Sequence, residues 1–420
     1  MADSSALMLT ELHGVDPNVL SAVPVQADGS QGSVLTVTSL PTGGDIARAR
    51  FYQSSVTAAT GDGAFVAWRE YIPNDRNSDE FQQLLVRRYR SPGGQQSPAL
   101  IRARPTGSVY NYRLAALPSN GAVVAWIEAL PEDPDRSPIG PTSLYVATYS
   151  DANGWSAPTR LAGFSPEQPI GINDVTVGTS TNGHIVVLWS QTVDIGLGDT
   201  LMAAARDPDG HWGIPALVYE TNDTDRADSL GLGVAVDGFG NAMAVWEYRA
   251  WDENVYGSGF NRMDAKAGWL GAETISEFAV DPKVVVNAAG HGLIVWGQDG
   301  YVLAADFNLV GVGSATVLTT DESSTGAAKQ PQATIGEDGD IAVAWNQMVY
   351  PGAHYAVRGA RFTPTKGWSS NSTLSPMTEV GLLSCLTNTR DGRAAVIWNQ
   401  GDISGGQSSF WLMPFALQAA

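Results

Sequence analysis

Short stretches of this chain alternate small or apolar residues with polar ones, and each stretch stops at a turn. GLGVAVD (231–237) shows the period of two expected of a strand with one face against a core. GFGN (238–241) is a turn, and AMAVWEY (242–248) is a second strand, more continuously apolar. LMAAAR (201–206) reads as a third strand, DPDG (207–210) as a turn and HWGIPALVY (211–219) as a fourth strand. The second-strand pattern recurs seven times, and each copy ends on a tryptophan: Trp68, Trp126, Trp189, Trp246, Trp296, Trp345 and Trp398. Successive copies stand about 49 to 63 residues apart. A period of that length marks one supersecondary unit copied along the chain.

Four short strands per unit describe one blade of a propeller. The second strand is apolar on both faces, so it belongs between neighbouring blades. Its tryptophans are expected to fill the core rather than to form a sugar-stacking set. The seventh unit supplies three strands before the chain reaches Ala420, and a spare strand, SVLTVTSL (33–40), stands near the beginning. The expectation is an all-β fold: a seven-bladed β-propeller with four antiparallel strands per blade. The N-terminal strand 33–40 completes the last blade and closes the ring, which hides the open sheet edge. Residues 33–420 then form the propeller, and residues 1–32 an arm or docking segment for assembly contacts.

These repeats resemble a group of bacterial propeller proteins whose units read aspartate or asparagine, glycine, a small residue, two apolar residues and tryptophan. The likeness spans about residues 33–415. It implies the fold and leaves the activity open, because propellers host lectins, hydrolases, lyases and scaffolds alike. The turns Ser150-Asp151-Ala152-Asn153-Gly154-Trp155 and Asp207-Pro208-Asp209-Gly210-His211-Trp212 further resemble the Asp-boxes of sialidase-like and lectin-like propellers. In those proteins the box is a structural turn, remote from the active site.

Composition narrows the partners. The chain has 24 basic against 43 acidic residues, a net charge of −19. Such a surface repels phosphate backbones and anionic lipid, so neither nucleic acid nor membrane insertion is expected. No apolar run is long enough to span a bilayer. The opening residues lack the basic and apolar regions of a secretory signal. Little lysine, one cysteine and much glycine, alanine, threonine and tryptophan point to an extracellular or particle-associated protein, for instance a phage component. Cys385 is expected to be a small buried residue and not a reactive thiol.

Chain reversal at each turn puts the loops from strand one to two and from three to four on one face. Those turns are tight. The opposite face carries long loops, where function usually resides. Here aromatic residues stand beside acids and amides: Tyr71 with Asp75, Trp251 with Asp252, Tyr256, and Tyr350 with His354 and Tyr355. Flat rings beside short polar groups suit a carbohydrate or a protein partner. The same rings could instead pack their own loops. Two residues past each repeat tryptophan stand Glu70, Glu128, Gln191, Tyr248, Gln298, Gln347 and Gln400. These are read as bonding the backbone of an adjacent blade, with a substrate-ligating ring as the other reading.

No catalytic signature and no metal-binding motif is legible. Asn222 to Asp228 alternates oxygen ligands as a calcium loop does, but the glycine at the expected place is missing. No cofactor is expected, calcium being the weak exception. The leading expectation is a non-catalytic, lectin-like or adhesin-like binding module. The alternative is a glycan-active hydrolase or lyase with its site over the central channel.

Overall fold

The computed structural model describes the chain apart from residues 1–3, 13–18, 27–34, 40–49, 59–63, 73–80, 91–93, 96–98, 103–107, 130–141, 164–169, 193–198, 221–224, 251–254, 320–324, 351–353, 377–379, 389–393, 402–408 and 415–420. Among the described residues the regular structure is all strand. The chain divides into two compact units, Met1–Leu217 and Val218–Ala420.

In the first unit, Arg50–Ala58, Ala64–Ile72 and Phe81–Arg90 form consecutive antiparallel strands around Trp68, and the short Gly94–Gln95 and Ala99–Arg102 complete the outer edge. Ser108–Leu117, Gly121–Ala129 and Thr142–Ser150 repeat the arrangement around Trp126, with Gly154–Trp155 and Thr159–Gly163 outside. Gly171–Thr179, Ile185–Thr192 and Asp199–Arg206 repeat it around Trp189. Each sheet is a meander of consecutive antiparallel strands.

The N-terminal region departs from expectation. Leu35–Ser39 pairs with Val19–Gln26, which pairs in turn with Ser4–Leu12, in a three-stranded sheet of their own. Within this unit the first strands of successive sheets lie side by side. Ser4–Leu12 runs beside Arg50–Ala58, that strand beside Ser108–Leu117, and that one beside Gly171–Thr179. The segment expected as an arm thus continues the series. The described strands make eight sheets rather than seven, and the eighth lacks the repeat tryptophan.

The second unit contains Asp225–Val236, Ala242–Ala250, Val255–Asp264 and Gly268–Ser276 around Trp246. Val280–Val286, Gly292–Gln298, Tyr301–Phe307 and Thr316–Val317 follow around Trp296. Thr325–Ile335, Ile341–Val349 and His354–Thr363, with Gly367–Trp368 and Ser372–Thr373 outside, surround Trp345. The last sheet, around Trp398, holds three strands: Val380–Asn388, Ala394–Gly401 and Ser409–Pro414.

All seven repeat tryptophans are buried, which assigns them to the core. A buried indole N–H needs an acceptor. The side chain two residues on lies on the same face of the strand, because side chains alternate. Trp126 donates to Glu128 Oε1 at 2.9 Å, Trp189 to Gln191 at 2.9 Å and Trp296 to Gln298 at 3.2 Å. Trp345 donates to Gln347 at 3.1 Å and Trp398 to Gln400 at 2.8 Å. Glu128, Gln191, Gln298, Gln347 and Gln400 are therefore latches within one strand. The expected partner was a neighbouring blade's backbone; the indole of the same strand is a partner that was not expected. Gln347 also reaches a backbone, since its Nε2 donates to Gly326 O, but on the first strand of its own sheet. In the Trp246 sheet the latch position is Tyr248, and Trp246 Nε1 is buried without a partner. Here Tyr219 stacks on the indole, with ring centroids 4.9 Å apart. Gly259 leaves the space that the indole fills, since a Cβ there would stand 2.7 Å from Trp246.

Candidate functional site

The two ends of each sheet are built differently. At the end that carries the turns from strand one to two and from three to four, polar side chains are consumed by their own backbone. Asp237 Oδ1 accepts from the N–H groups of Phe239 and Asn241 at 2.8 and 2.9 Å. Asn287 Oδ1 accepts from Ala289 and His291, and Ser180 Oγ from His184. Asp264 accepts from Lys266 and Ala267, and those two N–H groups hold its carboxyl below the usual carboxylate range. Asp207 is likewise lowered, chiefly by the His211 N–H. These are the side-chain-to-backbone closures that short polar residues make in turns. His184, His211 and His291 all stand at such turns.

Of the two Asp-box-like turns, Asp207 closes its own loop in this way. Asp151 instead pairs with the buried Arg88 of the preceding sheet. The Arg88 guanidinium carbon lies 5.6 Å from the Phe65 ring centroid and 5.5 Å from that of Tyr149. The turn is thereby a clamp between the Trp68 and Trp126 sheets.

At the opposite end, where strand two passes to strand three, side chains bond across strands and between sheets. Tyr350, directly after Ile341–Val349, is 49% exposed. Its ring rests on the backbone of Gly326: a Cβ at Gly326 would stand 2.9 Å from Cε2 and 3.0 Å from the hydroxyl. Glycine is required there so that the ring can lie down. His354 opens the third strand opposite Val349, and Tyr355 sits opposite Met348; both are half-buried. Lys329 Nζ stands 4.2 Å from the Tyr355 ring centroid, a cation–π contact. Next to Lys329 the first strand bulges, and Gln330 takes φ 53°, sparsely populated for a side-chain-bearing residue. Asn346 Nδ2 donates to Gln330 Oε1 at 3.0 Å, and Asn346 Oδ1 accepts from Leu383 N at 2.7 Å. The bulge is thus tied to the last sheet.

The first unit carries a second polar group that the sequence did not single out. A bulge between Ile172 and Asp174 brings Asn173 and Asp174 together beside the Trp126 sheet. Asp174 Oδ1 accepts from Asn111 Nδ2 at 2.5 Å, from Val175 N at 2.8 Å and from Arg113 Nη2 at 3.4 Å. Burial pushes the Asp174 carboxyl above the usual carboxylate range, against the opposing pull of Arg113 and the Val175 N–H. Asn173 Nδ2 donates to Thr192 Oγ1 at 2.9 Å and to Asp199 Oδ2 at 3.4 Å, and Thr192 donates to Asp199 Oδ1. Asp174 and Asp199 are both buried, while the Arg113 side chain is 42% exposed. The arrangement offers two carboxyl groups, one with weakened acidity, behind an accessible guanidinium. Such a set can hold a proton and bind an oxyanion.

Of the expected binding residues, the structure brings Tyr350, His354 and Tyr355 into one corner. Tyr71 and Tyr256 lie on the strands Ala64–Ile72 and Val255–Asp264. Asp75, Trp251 and Asp252 lie outside the described residues. In the expected calcium loop, Asp225 to Asp228 are ladder-paired strand residues, Asp225 with Ala250 and Asp228 with Glu247. Among the described residues no cluster of three or more histidine, cysteine or acidic side chains has metal-binding proximity. Cys385 is exposed on Val380–Asn388 rather than buried as expected, yet its surroundings desolvate the thiol and weaken its acidity. Sequence reasoning missed Asn111, Arg113, Asn173, Asp174, Asp199 and Lys329. A signal was present in GINDVTV, where two adjacent polar residues break the alternation of a first strand.

No protein-family profile and no curated protein matches the chain. Solved structures do. A polysaccharide lyase, Uly1, superposes with a TM-score of 0.51 at 8% identity, covering 85% of this chain and 87% of its own. An α-L-arabinanase of Penicillium chrysogenum bound to arabinobiose gives 0.44 at 13% identity, covering 76% and 94%. A protein of unknown function from Dyadobacter fermentans gives 0.46 at 15% identity, covering 74% and 94%. At these identities the likeness speaks for the fold alone, which is all-β and propeller-like. It does not extend to the Asp-box family.

Proposed function

We propose that this protein acts on glycans, as a hydrolase or lyase whose substrate lies across the ends of the sheets where strand two passes to strand three. The observation that carries this reading is the Asp174 group: a carboxyl group with weakened acidity, gripped by two amide donors and a half-exposed arginine. A general acid must keep its proton near the working pH, and burial is the ordinary way to arrange it. A retaining or inverting hydrolase would use Asp174 and Asp199 as its carboxylate pair. A lyase would use the guanidinium to neutralise charge beside the proton to be removed. The closure of the sheets into one ring belongs to the same proposal.

The test is a panel of neutral and acidic polysaccharides. New reducing ends mark hydrolysis, and ultraviolet-absorbing unsaturated ends mark elimination. Turnover that disappears in Asp174→Asn supports the proposal. Binding without turnover across the panel would sink it in favour of a second reading, a non-catalytic lectin-like module. One observation favours that second reading: Tyr350, held flat by Gly326 with Lys329, His354 and Tyr355 beside it, is a ready platform for a sugar face.

A further inference from the structure

Arg113 is held in an unusual way for a half-exposed arginine. It lies in the middle of Ser108–Leu117, opposite Ala125 on the second strand. Nη1 donates to Asn111 Oδ1 at 2.8 Å and to the Tyr112 carbonyl at 3.0 Å. Nη2 donates to Asp174 Oδ1 at 3.4 Å. Asn111 is itself fixed, since it donates to Asp174 and its Oδ1 also accepts the Tyr112 N–H at 2.8 Å. A guanidinium has five N–H donors. Three of Arg113's are committed to the acceptors just named. Both hydrogens of Nη1 are taken, so Nε–H and one hydrogen of Nη2 remain. Asn111 bonds both Nη1 and Asp174, which sets Asp174 against the Nη1–Nη2 edge; on that reading Nε–H and the second Nη2 hydrogen share the other edge, the fork that grips a carboxylate through two parallel bonds.

The surrounding charge makes the position meaningful. A chain with a net charge of −19 repels a polyanion in general. A fixed cation on that background would select one charged group at one place and not a polymer at large. Exposed lysines could supply charge, but not this preset geometry, because an ammonium on a flexible stem carries no fork.

We infer that the free edge of Arg113 is a receptor for a sugar carboxylate, and that the substrate is a uronate-bearing glycan. The inference rests on the proposed action on glycans and adds the substrate class. Asp174, Asn111 and the Tyr112 carbonyl act as positioning groups that hold the fork still, and Arg113 is the group that touches the substrate.

The experiment is calorimetric binding of the full chain to polygalacturonate, alginate and glucuronan, each beside its carboxyl-reduced form. The expected result is that at least one uronate polymer binds about tenfold or more tighter than its reduced form, a factor equivalent to about 1.4 kcal/mol. Arg113→Lys keeps the charge without the fork and should lose most of that preference. Arg113→Gln alone leaves the buried Asp174 carboxyl without its cation, so the double variant R113Q/D174N is the cleaner test of loss. It should bind the two forms equally while unfolding at a temperature near that of the parent. K366Q, which removes a surface charge elsewhere, should keep the preference. Equal binding of each polymer and its reduced form by the parent would overturn the inference and leave the action on glycans standing. A uronate preference that survives in R113Q/D174N would overturn the assignment to Arg113. Absence of binding to every polymer, charged or reduced, would overturn both.

Discussion

The two ends of these sheets use the same residue types for opposite purposes. Asp237, Asn287 and Asp264 turn an oxygen back onto the N–H groups of their own loops, and those bonds close the turn. Asp174 and Asn111 instead reach between strands of neighbouring sheets and leave the guanidinium of Arg113 partly unspent. Residue type alone does not tell a structural aspartate from a functional one. What separates them is whether the acceptor finds its donors within four residues along the chain or, across a packed interface, on a cation that stays exposed; Asp151 also crosses between sheets, but its partner Arg88 is buried. The first arrangement stabilises a turn and finishes there. The second needs two sheets, stores a partly buried charge, and is therefore the one worth keeping for chemistry.

The comparison can be broken in four ways. Replacing Asp237 by alanine removes three bonds from a buried carboxylate. It should cost about 2–3 kcal/mol in denaturant unfolding and leave glycan binding untouched. Loss of binding there would erase the distinction between the two ends. Gln347→Leu leaves the Trp345 indole N–H buried and unanswered, at a cost of about 1–3 kcal/mol. The corresponding change at Tyr248, where Trp246 already lacks a partner, should show no such penalty, and Tyr248→Leu against Gln347→Leu in parallel melts decides it.

Asp174→Asn has a subtler signature. The folded state holds the Asp174 proton to higher pH than the unfolded chain does. That contribution to stability is fully present below the unfolded carboxylate's pKa and is lost as pH rises through the folded one. Melting temperatures across acid to neutral pH should therefore fall less steeply in the variant than in the parent. An unchanged slope would mean that Asp174 is not the group that titrates. Smallest in stability is Tyr350→Ala, an exposed position where the change should stay within about 0.5 kcal/mol. Its effect belongs to binding: weaker capture of neutral glycans, read by affinity electrophoresis, with turnover of a uronate polymer little altered.

The fold was legible because its signal is redundant. Seven tryptophans at similar intervals each mark a buried strand, and the turns between them carry glycine and aspartate at fixed offsets. The N-terminal sheet escaped for the same reason: SSALMLTEL and VLSAVPVQ alternate as strands do but carry no tryptophan to count. The latch was within reach of the period-two rule, which puts Trp126 and Glu128 on one face, yet a neighbouring backbone was the expected partner. The Asp174 group was harder. It depends on a bulge that shifts the register by one residue, and such a shift leaves almost no mark in a sequence. Tyr350, His354 and Tyr355 were legible as neighbours because they are close in sequence as well as in space. Lys329 joins them from another strand, which local patterning does not reveal.

The tryptophan latch bears on how such a chain could have arisen. Donor and acceptor sit two residues apart on one strand, so a duplicated segment arrives with its buried polar bond already complete. No matching change is needed in the copy beside it. Descendant copies are then free to diverge in their loops, and a lapse such as Tyr248 is answered nearby, by a glycine across the ladder and a stacked Tyr219.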